Sequence, residues 1–389
     1  MIVKDEEKAL PACLTSVQGV VDELVVLDTG SRDRTLSIAH SFGARVHSFE
    51  WCNDFAAARN QSLHYAQGNW VLVLDADEVL NPEIVPSLKQ VIQMEDVLVV
   101  TLLRQEVGAR QAPYSLLSRL FRRHPGISFF RPYHELIDDS VTTLLQQEPN
   151  WRVLELPGVA IRHSGYQPDA IAQRQKFDRA RHIMEHYLTT HPEDAYLCNK
   201  LGALYAEVGE VAKGRTWLQR GLQIATESAL VYELHYHLGS IAHQVADLAE
   251  AGYQYQQAAE LPISPLAKLA VYYDWGRLQM DQGNLVAAQQ LFQKTVEIDP
   301  GFAAGHLNLG LVFKGLGKLA EAIAHYRQAI QLNPNYAEAH QNLAVALLKI
   351  GQVSESMEAF RRAIDLYQQR QSPEAERLRQ GLQDIGFAL

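Results

Sequence analysis

The segment Trp70-Val71-Leu72-Val73-Leu74-Asp75-Ala76-Asp77-Glu78 runs five apolar residues without a break and stops at two carboxylates two positions apart. A short continuous apolar run bounded by polar residues predicts a strand buried on both faces, as in a parallel sheet. Side chains alternate along a strand, so Asp75 and Asp77 are expected on one face and Ala76 on the other. Such a strand delivers acids to the carboxyl edge of an open α/β sheet, the edge where these sheets bind ligands. Two neighbouring carboxylates repel and call for a cation, and hard oxygen ligands suit magnesium or manganese. An ordinary strand-to-turn exit with solvated acids would read the same on this stretch alone.

Outward from that segment, the first eighty residues alternate strand and helix. Residues 6–20 read as a helix with apolar Leu10, Leu14 and Val17, and Pro11 sits in its tolerant first turn. Leu24 to Leu27 is β-prone and ends at Asp28. Thr29-Gly30-Ser31-Arg32-Asp33-Arg34-Thr35 is a turn that opens a helix, with Ser31 or Asp33 as cap and Phe42-Gly43 as stop. Arg45 to Phe49 alternates as a strand, and Asp54 to Tyr65 reads as a helix closed by Gly68. This order implies parallel strands with right-handed crossovers. Asp5, Asp28 and Asp75/Asp77 would then meet along one sheet edge. No glycine-rich phosphate loop is present, so metal bridging is the expected way to hold a diphosphate.

At 389 residues the chain is expected to hold two or three domains. Its 47% apolar and 21% charged content is that of soluble globular protein, and the formal charge of -10 argues against broad nucleic-acid or anionic-membrane binding. No run of eighteen apolar residues occurs, so no transmembrane segment is expected, and MIVKDEEKAL has acids where a signal peptide needs an apolar run. Cys13, Cys52 and Cys198 lack metal-ligand spacing and are expected to be structural in a reducing cytoplasm. The expected location is cytoplasmic, or peripheral to the inner face of the membrane.

Beyond Glu78, Pro82 to Met94 reads as a helix and Val97 to Leu103 as a strand. Ser118 to His124 is basic and aromatic, and Phe129-Phe130-Arg131-Pro132-Tyr133-His134-Glu135 follows. The His134-Glu135 pair is not a zinc-peptidase motif, because position 138 is Asp. Val159 to Tyr166 reads as a strand carrying His163.

Taken in order, MIVKDEE, VVLDTGSRDRT, DFAAARNQSL, GNWVLVLDADE, RPYHELI and IRHSGY resemble glycosyltransferase family two, the GT-A fold, in the branch with tetratricopeptide repeats behind the catalytic domain. The resemblance covers residues 1–166. It implies that Asp5, Glu6, Glu7 and Asp28 line a nucleotide pocket, with Asp33 and Arg59 in support. Asp75 and Asp77 resemble the family's DxD acids, with Asp77 the direct metal ligand, and His163 resembles a late histidine that completes a metal site. Glu135 is the candidate general base and His134 the alternative. The implied cofactor is manganese or magnesium, and the implied donor is a nucleotide-sugar. Relatives carry several apolar residues ahead of MIVK, so either the first strand is short here or the start of the chain is misassigned. Arg119, Arg122, Arg123 and Arg131 are candidates to assist the diphosphate or the acceptor, or to form a solvated basic face.

The second half carries a period. Pro300 and Pro334 lie 34 apart, as do Leu285, Leu319 and Val353, Ala288, Ala322 and Ser356, and Phe292, Tyr326 and Phe360. Two looser copies precede these, marked by Gly202/Gly209 and Gly239/Asp247. A 34-residue helix-turn-helix period resembles the tetratricopeptide repeat. The expected organisation is a GT-A domain at 1–167, a helical connector at 168–194, about five repeats at 195–369 and a capping helix at 370–389. Stacked repeats form a solenoid because one helix pair cannot bury its apolar face alone. The leading expectation is a metal-dependent inverting glycosyltransferase whose repeats dock a protein or glycan acceptor or another partner. The alternatives are a non-catalytic repeat scaffold with a degenerate nucleotide-sugar domain, and a nucleotidyltransferase. The last is disfavoured because the chain has no glycine- and lysine-rich phosphate loop.

Overall fold

The computed structural model describes residues 1–107, 114–164 and 170–387, with the backbone alone at 170–176. Gly165 and Tyr166 of the IRHSGY motif lie outside the described residues, as do residues 168 and 169 of the expected connector and 388–389 of the expected cap. The chain divides into two compact units, Met1–Thr226 and Glu227–Leu389.

The first unit opens with β1 (Ile2–Val3), α1 (Leu10–Val17), β2 (Val25–Asp28), α2 (Thr35–Ser41), β3 (Arg45–Ser48), α3 (Phe55–Tyr65) and β4 (Trp70–Leu72). The expected alternation is present, and β1 spans two residues. In α1 the predicted apolar positions Leu10, Leu14 and Val17 are buried. Gly43 ends α2 at φ +76°, a conformation that only glycine adopts at little cost. Asp54 caps α3 by accepting the Ala57 N–H at 2.9 Å.

Then come β5 (Glu78–Leu80), α4 (Val85–Val91), β6 (Val97–Glu106), β7 (Tyr114–Arg122), α5 (Asp138–Gln147), β8 (Arg152–His163), α6 (Ala170–Thr190), α7 (Ala195–Glu207) and α8 (Val211–Ile224). β1, β2 and β3 form a parallel sheet in that order, and β4-β7-β6-β8-β5 form a second, mixed sheet. The expectation of one parallel sheet holding β4 is therefore corrected. The basic, aromatic stretch around Arg119 belongs to β7, which takes β4's edge in antiparallel register, Trp70 opposite Arg122 and Leu72 opposite Leu120. The β4 ladder stops at Leu72, so Asp75 to Asp77 lie in a turn rather than on one alternating strand face. Val73, Leu74 and Ala76 stay buried all the same, which is why the run is apolar. β6 lies between β7 and β8, and its Val97 to Val100 are wholly buried.

The second unit is helical: α9 (Ser228–Gln244), α10 (Leu248–Glu260), α11 (Leu269–Asp281), α12 (Leu285–Ile298), α13 (Ala303–Gly315), α14 (Leu319–Leu332), α15 (Ala337–Lys349), α16 (Val353–Gln369) and α17 (Glu374–Asp384). The chain is thus α/β followed by all-α repeats. In the pairs α9/α10, α11/α12 and α13/α14 a small residue of the first helix faces a large one of the second. A Cβ on Gly239, Gly276 or Gly310 would come within 2.5–2.8 Å of Tyr255, Phe292 or Tyr326. Gly202 of α7 meets Leu218 of α8 in the same way. Gly202, Gly239 and Gly276 are 37 residues apart and Gly276 to Gly310 is 34, which explains why the first copies read as loose. No helix among the described residues is long and apolar enough to cross a membrane.

Candidate active site

β1 and β2 run in register, with Val3 opposite Asp28, so the loops that leave them lie together. The Asp5 N–H donates to Ser31 Oγ at 3.0 Å, and Asp5 Oδ1 accepts the Arg32 N–H at 2.7 Å. The Glu6 N–H reaches Thr35 Oγ1 at 2.7 Å, and the Glu7 N–H reaches Asp33 Oδ2 at 3.0 Å. Asp33 also accepts the Thr35 N–H at 2.9 Å, but the N-cap position of α2 falls on Arg34 and not on Ser31 or Asp33 as expected. Asp28 is only 5% exposed and accepts from the backbone of Gly30 at 3.0 Å and Ser31 at 3.1 Å. These acids lace two loops into one wall.

The second group is an ionic chain across the mixed sheet. Arg59, 3% exposed, donates through Nε to Glu135 Oε1 at 2.9 Å and through Nη2 to Asp75 Oδ1. Asp75 Oδ2 accepts from Arg119 Nη2 at 2.9 Å. Glu78 is fully buried; its Oε2 accepts the Asp75 N–H at 2.8 Å, and its Oε1 pairs with Arg104 Nη1 at 3.0 Å and faces Arg119 at 3.7 Å. Arg104 pairs with Glu106 at 2.7 Å, and Glu106 with His163 Nδ1 at 2.5 Å. His163 Nε2 closes on Asp77 Oδ2 at 3.1 Å. Strand register makes this possible, because His163 of β8 lies opposite both Glu78 of β5 and Glu106 of β6.

Charge tuning follows from the contacts. Burial pushes the Asp75 carboxyl up, but the Arg119 and Arg59 guanidiniums outweigh it and hold the carboxyl well below the usual carboxylate range. The hydrogen bond with His163 lowers the Asp77 carboxyl. Hydrogen bonds to Asp77 and Glu106 raise His163 to about 9. Five carboxylates (Asp75, Asp77, Glu78, Glu106, Glu135) thus face three guanidiniums (Arg59, Arg104, Arg119) and one imidazolium, an excess of one negative charge. Among the described residues, Arg59 Nη1 and Arg104 Nε are buried donors without a partner.

The glycosyl transferase family 2 profile matches residues 1–154, and two tetratricopeptide repeat profiles match 313–351 and 337–370. The chain belongs to glycosyltransferase family 2 and carries C-terminal tetratricopeptide repeats. It is 47% identical over 301 residues to a TPR repeat-containing protein of Synechococcus elongatus, a match spanning 77% of this chain and 75% of that one. It is 27% identical over 206 residues to the glycosyltransferase SunS of Bacillus subtilis, spanning 50% of this chain and 45% of SunS. An uncharacterized glycosyltransferase of Rickettsia bellii is 24% identical over 186 residues, spanning 46% of this chain and 63% of that one.

The structure brings Arg59, Asp75, Asp77, Glu135 and His163 onto one ionic chain, while Asp5, Glu6, Glu7, Asp28 and Asp33 form the separate loop wall. The expected Asp75–Asp77 pairing divides: Asp75 faces Arg59 and Arg119, and Asp77 faces His163. His134 is exposed, with its ring edge-on to Tyr133 at 4.9 Å. Of the four candidate arginines, only Arg119 reaches this ionic chain. Arg122 donates to the Val97 and Met94 carbonyls under Trp70 and Trp151, Arg123 donates to the Gly68 carbonyl, and Arg131 pairs with Asp139 and Asp194. Glu78, Arg104 and Glu106 carried no role in the sequence reading. The signal for the last two was an Arg-x-Glu alternation directly after an apolar strand, which puts both on one face. Cys13 and Cys198 are buried, but Cys52 is exposed, which corrects the expectation that all three are structural.

Whether the residues suit a divalent cation turns on Asp77. Among the described residues no group of three His, Cys, Asp or Glu side chains is arranged to hold a metal ion. Both Asp75 oxygens carry guanidiniums, and both His163 nitrogens face carboxylates. Asp77 is 37% exposed and bonded on one oxygen to His163. A single carboxylate suits magnesium-type binding, where substrate phosphates and water supply the remaining ligands.

Proposed function

We propose that this chain moves a sugar from a nucleotide-sugar, a UDP-sugar first, to a protein or glycan acceptor, with inversion at the anomeric carbon and with manganese or magnesium bound. The observation that carries the reading is the ionic chain that ends in Glu135 on one side and Asp77 on the other. The loop wall of Asp5 to Glu7, Asp28 and Asp33 is the nucleoside side of the pocket. Asp77 would hold the cation together with the donor's phosphates, oriented by His163. Asp75 orients Arg59 and Arg119 instead of binding the cation directly. A bound divalent cation neutralises charge on the diphosphate as it leaves. The orphan donor Arg59 Nη1 is a group that an anionic phosphate would satisfy.

Glu135 takes the proton of the acceptor hydroxyl, with its Oε1 fixed by Arg59. His134 is the second candidate for that proton. Attack from the face opposite the diphosphate inverts the sugar carbon in one step. The repeats are the docking surface for the acceptor or a partner.

The test is a panel of nucleotide-sugars incubated with the full chain, with manganese or with chelator, and read by mass spectrometry. Sugar release or transfer from one donor, lost with chelator, is expected. No turnover of any donor across a broad acceptor panel would overturn the reading.

A further inference from the structure

We propose that Arg131 is a positioning residue through which the first repeat helix holds the acceptor-side loop, an inference that rests on Glu135 accepting the acceptor's proton. The loop is a tight turn. Phe130 and Leu136 exchange backbone hydrogen bonds across it at 2.9 and 3.3 Å. Inside it, Arg131 (φ +75°) and His134 (φ +56°) sit in the left-handed region. A residue with a side chain stays there only where its surroundings over-determine it.

Arg131 Nη1 and Nη2 take both oxygens of Asp139, at 2.5 and 3.0 Å, from the first turn of α5. Its Nε donates to Asp194 Oδ2 at 2.7 Å. Asp194 is the N-cap of α7, and its other oxygen accepts the Leu197 N–H at 2.8 Å. The guanidinium also lies 5.0 Å over the Tyr196 ring, and its side chain is 10% exposed. All three guanidinium nitrogens are engaged, so Arg131 serves the loop and not the diphosphate. The next anchors agree. The Pro132 carbonyl accepts the Phe55 N–H at 3.0 Å, and Tyr133 joins the apolar cluster of α6 and α7 around Met184, Leu188 and Leu201. Glu135 follows two residues later, against Arg59.

A fork of this kind is specific to arginine, since an ammonium cannot reproduce two parallel bonds plus a third at right spacing. Exposed ion pairs do little, and Asp139 is 44% exposed, but Arg131 and Asp194 are each only 10% exposed, so their pair is largely desolvated.

The experiment compares the full chain with Asp194→Asn, Arg131→Gln and Arg131→Lys. Asparagine caps helices as well as aspartate, so Asp194→Asn keeps α7 while removing the anion. Two readouts are taken: hydrogen exchange of residues 128–137, which needs no activity, and steady-state kinetics with the donor found above. Asp194→Asn and Arg131→Gln are expected to raise exchange in 128–137 and lower kcat about tenfold, with donor KM within about twofold, and Arg131→Lys is expected not to restore either. Unchanged exchange and kcat in both variants would overturn the proposal. So would a fall in kcat matched by lost protection throughout α7 and weakened donor binding, the mark of a merely structural pair. Raised exchange in a protein whose wild type turns over no donor keeps the loop anchor and sinks the role of Glu135.

Discussion

Glu78→Gln is the sharpest test of the ionic chain, because Glu78 is its only wholly buried member. Its two oxygens do different work: one accepts the Asp75 N–H at 2.8 Å and the other faces Arg104 at 3.0 Å. An amide keeps the shape but has only one accepting atom. Whichever way it turns, an N–H faces either a backbone donor or a guanidinium. Removing one partner of a buried pair costs about 3–5 kcal/mol, because the other charge stays behind uncompensated. Arg104 keeps Glu106 at 2.7 Å, which places the expected loss at the lower end, about 3 kcal/mol. For a unit of this size that corresponds to a fall of about 6–12 °C in the Tm of the first unit. Calorimetry on the full chain, with the transition assigned by hydrogen exchange of β6, reads it. A Tm change below about 2 °C in the single variant would refute the claim that Glu78 compensates the chain.

Other expectations follow from the repeats. Gly310→Ala would set a Cβ 2.5 Å from Tyr326 Cε1, and overpacking of that kind should lower the stability of the second unit by about 1–3 kcal/mol in urea unfolding. Gly381→Ala in α17 meets nothing within 4 Å and should be neutral or stabilise by about 0.5–1 kcal/mol, a control in the same assay. Burial lowers the pKa of His306, His325 and His340 in the folded repeats, so the unfolded chain binds more protons just below pH ~6.5. The Tm of the second unit should therefore fall as pH drops from 7 through that window, and His306→Gln/His325→Gln should flatten the slope. A slope of the opposite sign would refute the assignment.

The parts legible in sequence were those with a short repeat distance. The strand-helix alternation to Leu72 rests on local periodicity, and the 34-residue phase of Phe292 and Tyr326 rests on one repeated packing contact, against Gly276 and Gly310. Asp75 and Asp77 stood out because an apolar run ends at them. What they touch was not legible. Asp75 is held by Arg59 and Arg119, 16 and 44 residues away, and the antiparallel pairing of β4 with β7 is what brings Arg119 to it. Glu78 read as one more acid at a strand exit. It is fully buried because β8 returns in register and sets His163 opposite it. Arg131 read as a cation for the diphosphate or the acceptor, or as part of a solvated basic face, yet its partners are a helix first turn and a helix cap, and neither carries a signal specific to arginine.

The central claim is that Glu135 and Asp77 act on two sides of one transferred sugar. The most direct measurement takes donor binding and sugar turnover together for the wild type, Asp77→Asn and Glu135→Gln, with and without manganese. Glu135→Gln should bind the nucleotide-sugar as the wild type does and lose turnover by about 100-fold or more. Asp77→Asn should lose the manganese dependence of donor binding. Wild-type turnover in Glu135→Gln, or manganese-dependent donor binding unchanged in Asp77→Asn, would contradict the account.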